Sequence, residues 1–157
     1  MASGAQSTSV AAGRDGDVTF AQMMIPHHQQ AVDMAENALG KTDASSQVRD
    51  LATAITQAQD PEIRTMAGWL KQWGAAAPSD RMDHGRMGSG MMNEALEQAS
   101  GTAFDQQWVS MMIAHHEGCH RHGTPSAGHH SGPDVKTLAD AIINAQTEEI
   151  SKMRALS

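Results

Sequence analysis

The sequence predicts an all-α protein, an up-and-down four-helix bundle built from two helical hairpins. Three observations carry that expectation. Apolar residues recur at steps of three and four, the chain repeats itself once, and a stretch rich in Gly, Met and His separates the two copies. Asp17-Val-Thr-Phe20-Ala-Gln-Met23-Met24-Ile25-Pro26-His27-His28 returns as Asp105-Gln-Gln-Trp108-Val-Ser-Met111-Met112-Ile113-Ala114-His115-His116, at a constant offset of 88. Gln59-x-x-Glu62-Ile63-x-x-Met66 returns as Gln146-x-x-Glu149-Ile150-x-x-Met153, at an offset of 87. One deletion between the two signatures relates the halves.

Taken in order, residues 1–16 are rich in Ala, Ser, Gly and Thr and are expected to form a flexible lead-in. They contain no apolar run of the kind that marks a signal peptide. A single helical domain then spans 17–157, as repeat one (17–73), a linker (74–92) and repeat two (93–157). In the first helix, Ala21, Ile25, His28, Val32, Ala35 and Leu39 share one stripe. Phe20, Met24, His27, Ala31 and Met34 share the adjoining stripe, and Gly40 ends the helix. Val48, Leu51, Ala52, Ile55, Ala58, Ile63, Met66, Ala67 and Leu70 mark a second helix to about Trp73, which Pro61 is expected to kink or divide. A short helix is expected from Asn93 to Ala99. The third long helix begins near Thr102, and the fourth runs from Pro133, a good first-turn residue, to Leu156. Asp17 and Asp105 are expected to cap their own helices.

Composition narrows the function. The 157 residues carry 11 Lys and Arg against 18 Asp and Glu, a net charge of −7. That balance argues against nucleic acid as a partner, because phosphate binding needs cations to replace released counterions. The single cysteine, Cys119, excludes an internal disulfide framework and a four-thiolate zinc site. No run of 18 apolar residues exists to span a membrane. The chain has 12 Met and 9 His but only 3 Trp, 2 Phe and no Tyr. Met is an adaptable core filler and also a soft metal ligand, and His is the commonest metal ligand.

In a helix, residues four apart share a face. Met24 therefore stands one turn before His28 and Met23 one turn before His27, with Met111/His115 and Met112/His116 repeating the arrangement. Pseudo-two-fold packing of the hairpins would bring four His and four Met toward one region. Thioether plus imidazole suits monovalent copper, and divalent copper as the His share rises; zinc is a second candidate. Glu62, Met66, Glu149 and Met153 are additional candidates from the partner helices, and Met82, His84 and Met87 from the linker. Proton competition at the imidazoles predicts weaker binding below pH ~6.5. The alternative is a structural or interaction bundle, in which Gln59, Glu62, Gln146 and Glu149 satisfy the buried imidazoles without metal. Paired His beside Glu117 could do acid–base work. Neither a nucleophile arrangement nor a cofactor fingerprint accompanies them, so no catalytic residue is assigned and enzymatic activity is left open.

The doubled M-M-I-x-H-H with its A-Q-x-x-E-I-x-x-M signature resembles the bacterial family known as domain of unknown function 305, over roughly Asp17 to Leu156. The resemblance implies a ferritin-like four-helix bundle and a secreted, periplasmic or cell-surface location. Some relatives bind copper, with Met and His as ligands, and the family has no established catalytic activity. The positions that carry over are Met23, Met24, His27 and His28 with Met111, Met112, His115 and His116. The chain lacks the Glu-x-x-His motif of di-iron carboxylate bundles, which disfavours ferroxidase chemistry. A metal ion is the expected partner, and self-association is left open.

One segment departs from the family pattern. Glu117-Gly-Cys-His-Arg-His-Gly-Thr-Pro-Ser-Ala-Gly-His-His-Ser-Gly132 is too rich in Gly to sustain a helix, so the third helix is expected to shorten at about Gly118. Three readings stand. Cys119, His120, His122, His129 and His130 form an added metal tract; they lie in a loop that happens to be rich in His; or they reflect a shifted reading frame. In the last case Cys-His-Arg-His-Gly, read one base over, becomes the family's Ala-Ile-Ala-Met-Ala.

Overall fold

The computed structural model describes residues 5–78, 94–122 and 132–157, with side chains from Arg14 onward and only to Cys119 in the third long helix. Its helices are α1 (Ala5–Gly40), α2 (Ser46–Gln72), a short α3 (94–98), α4 (Gly101–His122) and α5 (Pro133–Arg154). No strand occurs among the described residues, as the periodicity requires.

Three boundaries differ from the sequence expectation. α1 begins at Ala5, so its helix extends back through residues expected to be a flexible lead-in. Arg14 anchors the extension by standing 4.9 Å over the Trp73 ring. α2 passes Pro61 without interruption. Proline removes one hydrogen bond to the carbonyl four residues back, that of Gln57. Gln57 and Pro61 are both exposed, so water replaces the lost donor while buried Ile55, Gln59, Met66 and Leu70 hold the helix on either side. α4 runs past Gly118 to His122. One internal glycine costs about 1 kcal/mol, and burial of Cys119 against α1 just beyond it offsets that loss.

Within each hairpin the helices are antiparallel, α1 with α2 and α4 with α5. The hairpins also cross antiparallel: Met24 meets Cys119, His27 meets His115, and the Met34 carbonyl accepts from the buried Trp108 indole at 2.8 Å. This two-fold arrangement divides the apolar core. One cluster joins Ala31, Met34, Val48, Leu51 and Ile55 of the first repeat to Phe104, Trp108, Met112 and Met153 of the second. The other joins Phe20, Met24, Met66 and Leu70 to Cys119, Val135 and Ile142. Leu96 on α3 is fully buried in the first cluster. Lys41 draws α3 down by donating to the carbonyls of Glu97 and Ala99, at 2.6 and 3.0 Å.

The repeated aspartates do not cap their own helices. Asp17 and Asp105 sit inside α1 and α4 and reach across to the other hairpin. Asp105 accepts the backbone N–H of Ser45, the N-cap of α2, with its two oxygens at 3.1 and 3.2 Å. Asp17 accepts the N–H of Gly132, the N-cap of α5, at 3.2 Å. Asp105→Ala and Asp17→Ala should each destabilise the protein by about 1–2 kcal/mol, measured as a lower urea midpoint with unchanged slope.

Candidate metal centre

The two His pairs occupy the level between the two apolar clusters. His28 and His116 are fully buried, and each makes the same bond to the partner helix of its hairpin. His28 Nε2 lies 2.8 Å from Glu62 Oε2, and His116 Nε2 lies 2.6 Å from Glu149 Oε2. A carboxylate accepts only, so Nε2 of each ring carries a proton, and in the neutral tautomer Nδ1 then presents a lone pair. Both Nδ1 atoms are buried and have no hydrogen-bond partner among the described residues.

Across the hairpin interface, His27 stacks on His115 with centroids 3.8 Å apart and planes 20° from parallel. His115 and His116 centroids are 6.1 Å apart. Neither ring nitrogen of His115 makes a well-formed hydrogen bond among the described residues, although the His27 backbone lies close enough to oppose the fall in its pKa. Burial, reinforced by the neighbouring His27, His116 and His28, lowers the pKa of His115 to about 2. The ring is therefore neutral and its lone pair available through mildly acidic pH. Proton competition near pH 6.5, expected from an ordinary histidine, does not apply at His115.

Gln59 and Gln146 belong to the same layer, each 2% exposed. Unlike the glutamates, they do not satisfy the histidines, and no atom of either amide has a hydrogen-bond partner among the described residues. Cys119 closes one side, its Sγ 3.7 Å from Met24 Sδ. Burial pushes its thiol up to about 11; the nearby Glu62 charge adds to this and Gln146 opposes it, so the sulfur is protonated in the apo protein.

The four histidines thus converge as the repeat implies, but the methionines divide. Met24 and Met66 lie in one apolar cluster, and Met112 and Met153 in the other. Met111 is partly buried at the edge of the Met112 cluster, whereas Met23 is 41% exposed. Glu62 and Glu149 are engaged by His28 and His116, which makes them orienting groups for the imidazoles. Among the described residues, no three His, Cys, Asp or Glu side chains are close enough to enclose an ion without adjustment. Met82, His84, Met87, His129 and His130 lie outside the described residues, as do the side chains of His120 and His122. The sequence expectation placed Asp17 and Asp105 on their own helices rather than on the other hairpin, and it did not include the Cys119–Met24 contact. The duplicated aspartate was the available signal for the first; nothing in the sequence signalled the second.

The described helices include none long and apolar enough to cross a membrane. The model of the family described as "Domain of unknown function (DUF305)" matches residues 17–157. Among solved structures, the chain is similar to a DUF305 protein of Streptomyces coelicolor inferred to be secreted. Identity is 30% and TM-score 0.78, over 89% of this chain and 90% of that one. A DUF305 fragment from Deinococcus radiodurans is 29% identical, with TM-score 0.77 over 89% and 93%. CopM in its silver-soaked form is 33% identical, with TM-score 0.73 over 89% and 93%; CopM is also known in Cu(I)-bound, Cu(II)-bound and apo forms. No curated protein matches the chain.

The neutral state of His115 makes stability depend on pH. Its folded pKa of about 2 lies below the ordinary 6.5, so the unfolded chain binds the extra proton. Stability of the apo protein should fall as pH drops below 6.5, by about 1.4 kcal/mol per unit for this one ring. Urea titrations at pH 7.5 and pH 5 should show that decline, and His115→Gln should reduce it.

Proposed function

From the premise that the chain belongs to the DUF305 family, we propose that it binds copper as cargo, sequestering it or passing it on outside the cytoplasm. One observation carries this reading: the buried Nδ1 atoms of His28 and His116, one from each hairpin, lie in one polar layer with no hydrogen-bond partner among the described residues. A buried acceptor left without a donor destabilises a fold by about 1–3 kcal/mol unless something binds it. A cation is the complementary occupant. Glu62 and Glu149 support it by fixing which nitrogen of His28 and His116 faces away from the carboxylate and by raising ring basicity.

The donors proposed are His27, His28, His115 and His116, with thioethers from Met24 and Met112 on either side of the layer. Met23 and Met111 are candidates at its edge, and Met66 and Met153 from the partner helices. Imidazole with thioether favours copper over magnesium or calcium, which take oxygen donors, and zinc fits the imidazoles alone. The copper and silver forms of CopM, similar over most of both chains, support the same class of ion here. Secretion is proposed from the resemblance to the Streptomyces protein.

The His28–Glu62 and His116–Glu149 bonds also favour a second reading. Such pairs hold a bundle in register with no metal bound. The two readings separate in a thermal melt, because an ion bound only to the native state raises the melting temperature. Monovalent copper added anaerobically at 100-fold its dissociation constant should stabilise the protein by about 2.7 kcal/mol, and chelator should reverse this. Replacing His27, His28, His115 and His116 by Gln should abolish the shift. The double variant His27→Gln/His115→Gln leaves both Glu–His bonds intact and should weaken binding on its own. A melting temperature indifferent to copper would leave the structural reading.

A further inference from the structure

Cys119 is the chemically reactive side chain that copper binding at the histidine layer leaves unused. It is 5% exposed, on α4, and its thiol meets the thioether of Met24, 4% exposed, on α1. The two sulfurs are 3.7 Å apart, a separation that one ion with metal–sulfur bonds of about 2.3 Å can bridge. A third group lies beside the thiol: Gln146, 2% exposed, opposes the rise in the thiol's pKa, although its amide makes no well-formed hydrogen bond among the described residues.

The internal repeat supplies a control. The position equivalent to Cys119 in the first half, at the same offset of 88, is Ala31. Ala31 is fully buried in the cluster that contains Met112, the counterpart of Met24. A methyl group is all that packing requires there, so volume alone does not call for sulfur at Cys119. Gln59, the counterpart of Gln146, also makes no well-formed hydrogen bond among the described residues, and its half holds no thiol to accept from it.

We propose that Cys119 and Met24 form a thiolate–thioether site for a soft monovalent cation, with the Gln146 amide donating to the thiolate. Binding is an exchange. The Cys119 S–H bond breaks, its proton leaves to solvent, the sulfur binds the ion, and Met24 contributes a lone pair with no change of oxidation state. One positive charge enters as one departs, so the charge of this apolar pocket is unchanged. A divalent ion would add an uncompensated charge among Phe20, Met66, Val135 and Ile142, which burial strongly disfavours. Softness and charge together select Cu(I) or Ag(I) over Zn(II). The site shares Met24 with the reading above but does not require metal at the histidine layer.

Anaerobic titration of the full-length protein with silver(I), followed by the ultraviolet thiolate-to-metal charge-transfer band and by proton release, tests this. The native protein should develop the band and release one proton for the ion that produces it. Cys119→Ala, which copies the residue already tolerated at Ala31, should lose the band and one equivalent of capacity. The quadruple His→Gln variant should keep the band. Ala31→Cys should gain a second band of similar intensity, through Met112. Absence of the band in the native protein, or unchanged silver capacity in Cys119→Ala, would overturn the sulfur site. Loss of capacity in Cys119→Ala alone, with none in the quadruple variant, would uphold this site and remove the histidine one.

Discussion

The structure depends on a polar layer placed where a helical bundle normally has only apolar packing. The His27–His115 stack marks the crossing of the two hairpins, and the two glutamates fasten His28 and His116 at the same level. Apolar side chains segregate above and below, into clusters that each draw on both repeats. Such a layer is acceptable in a core only if its donors and acceptors are matched. Among the described residues, Nε2 of His28 and His116 is matched, Nδ1 of both is not, and His115 and both glutamine amides make no well-formed hydrogen bond. The bundle therefore carries unmatched polar atoms at its centre, and helices rather than loops position them.

Much of this was legible in the sequence, and the reasons are physical. A doubled motif at constant offset implies two like hairpins, and helical periodicity fixes which residues share a face. That is why the convergence of His27, His28, His115 and His116 could be anticipated. Periodicity says nothing, however, about the direction in which two hairpins cross. The antiparallel crossing of α1 and α4 keeps the histidines together at the centre but sends Met24 and Met112 to opposite sides of the layer. The eight-residue cluster expected from spacing thus becomes a histidine centre flanked by separate thioethers.

The undivided α2 and the longer α4 share a cause. Pro61 and Gly118 are unfavourable in helices taken alone, by local rules that hold when tertiary contact is weak. Pro61 leaves its unmet carbonyl on the exposed side of α2, and Cys119 continues α4 because α1 lies against it. Glu62 and Glu149 show the same limit at the site. Their spacing made them candidate ligands, but only the structure shows each carboxylate bonded to a buried imidazole, His28 or His116.

The reciprocal reach of Asp17 and Asp105 has a consequence for the origin of the fold. Each hairpin completes the helix cap of the other through the same residue. Contacts in which one patch meets its own copy define an isologous interface, the kind that builds homodimers. Two separate copies of one hairpin, related by a two-fold axis through the His27–His115 stack, would make the same contacts. Joining such copies in one chain preserves the assembly and releases it from identity. Only then can one half carry Ala31 while the other carries Cys119, so that equivalent positions take up different chemistry within a single symmetric frame.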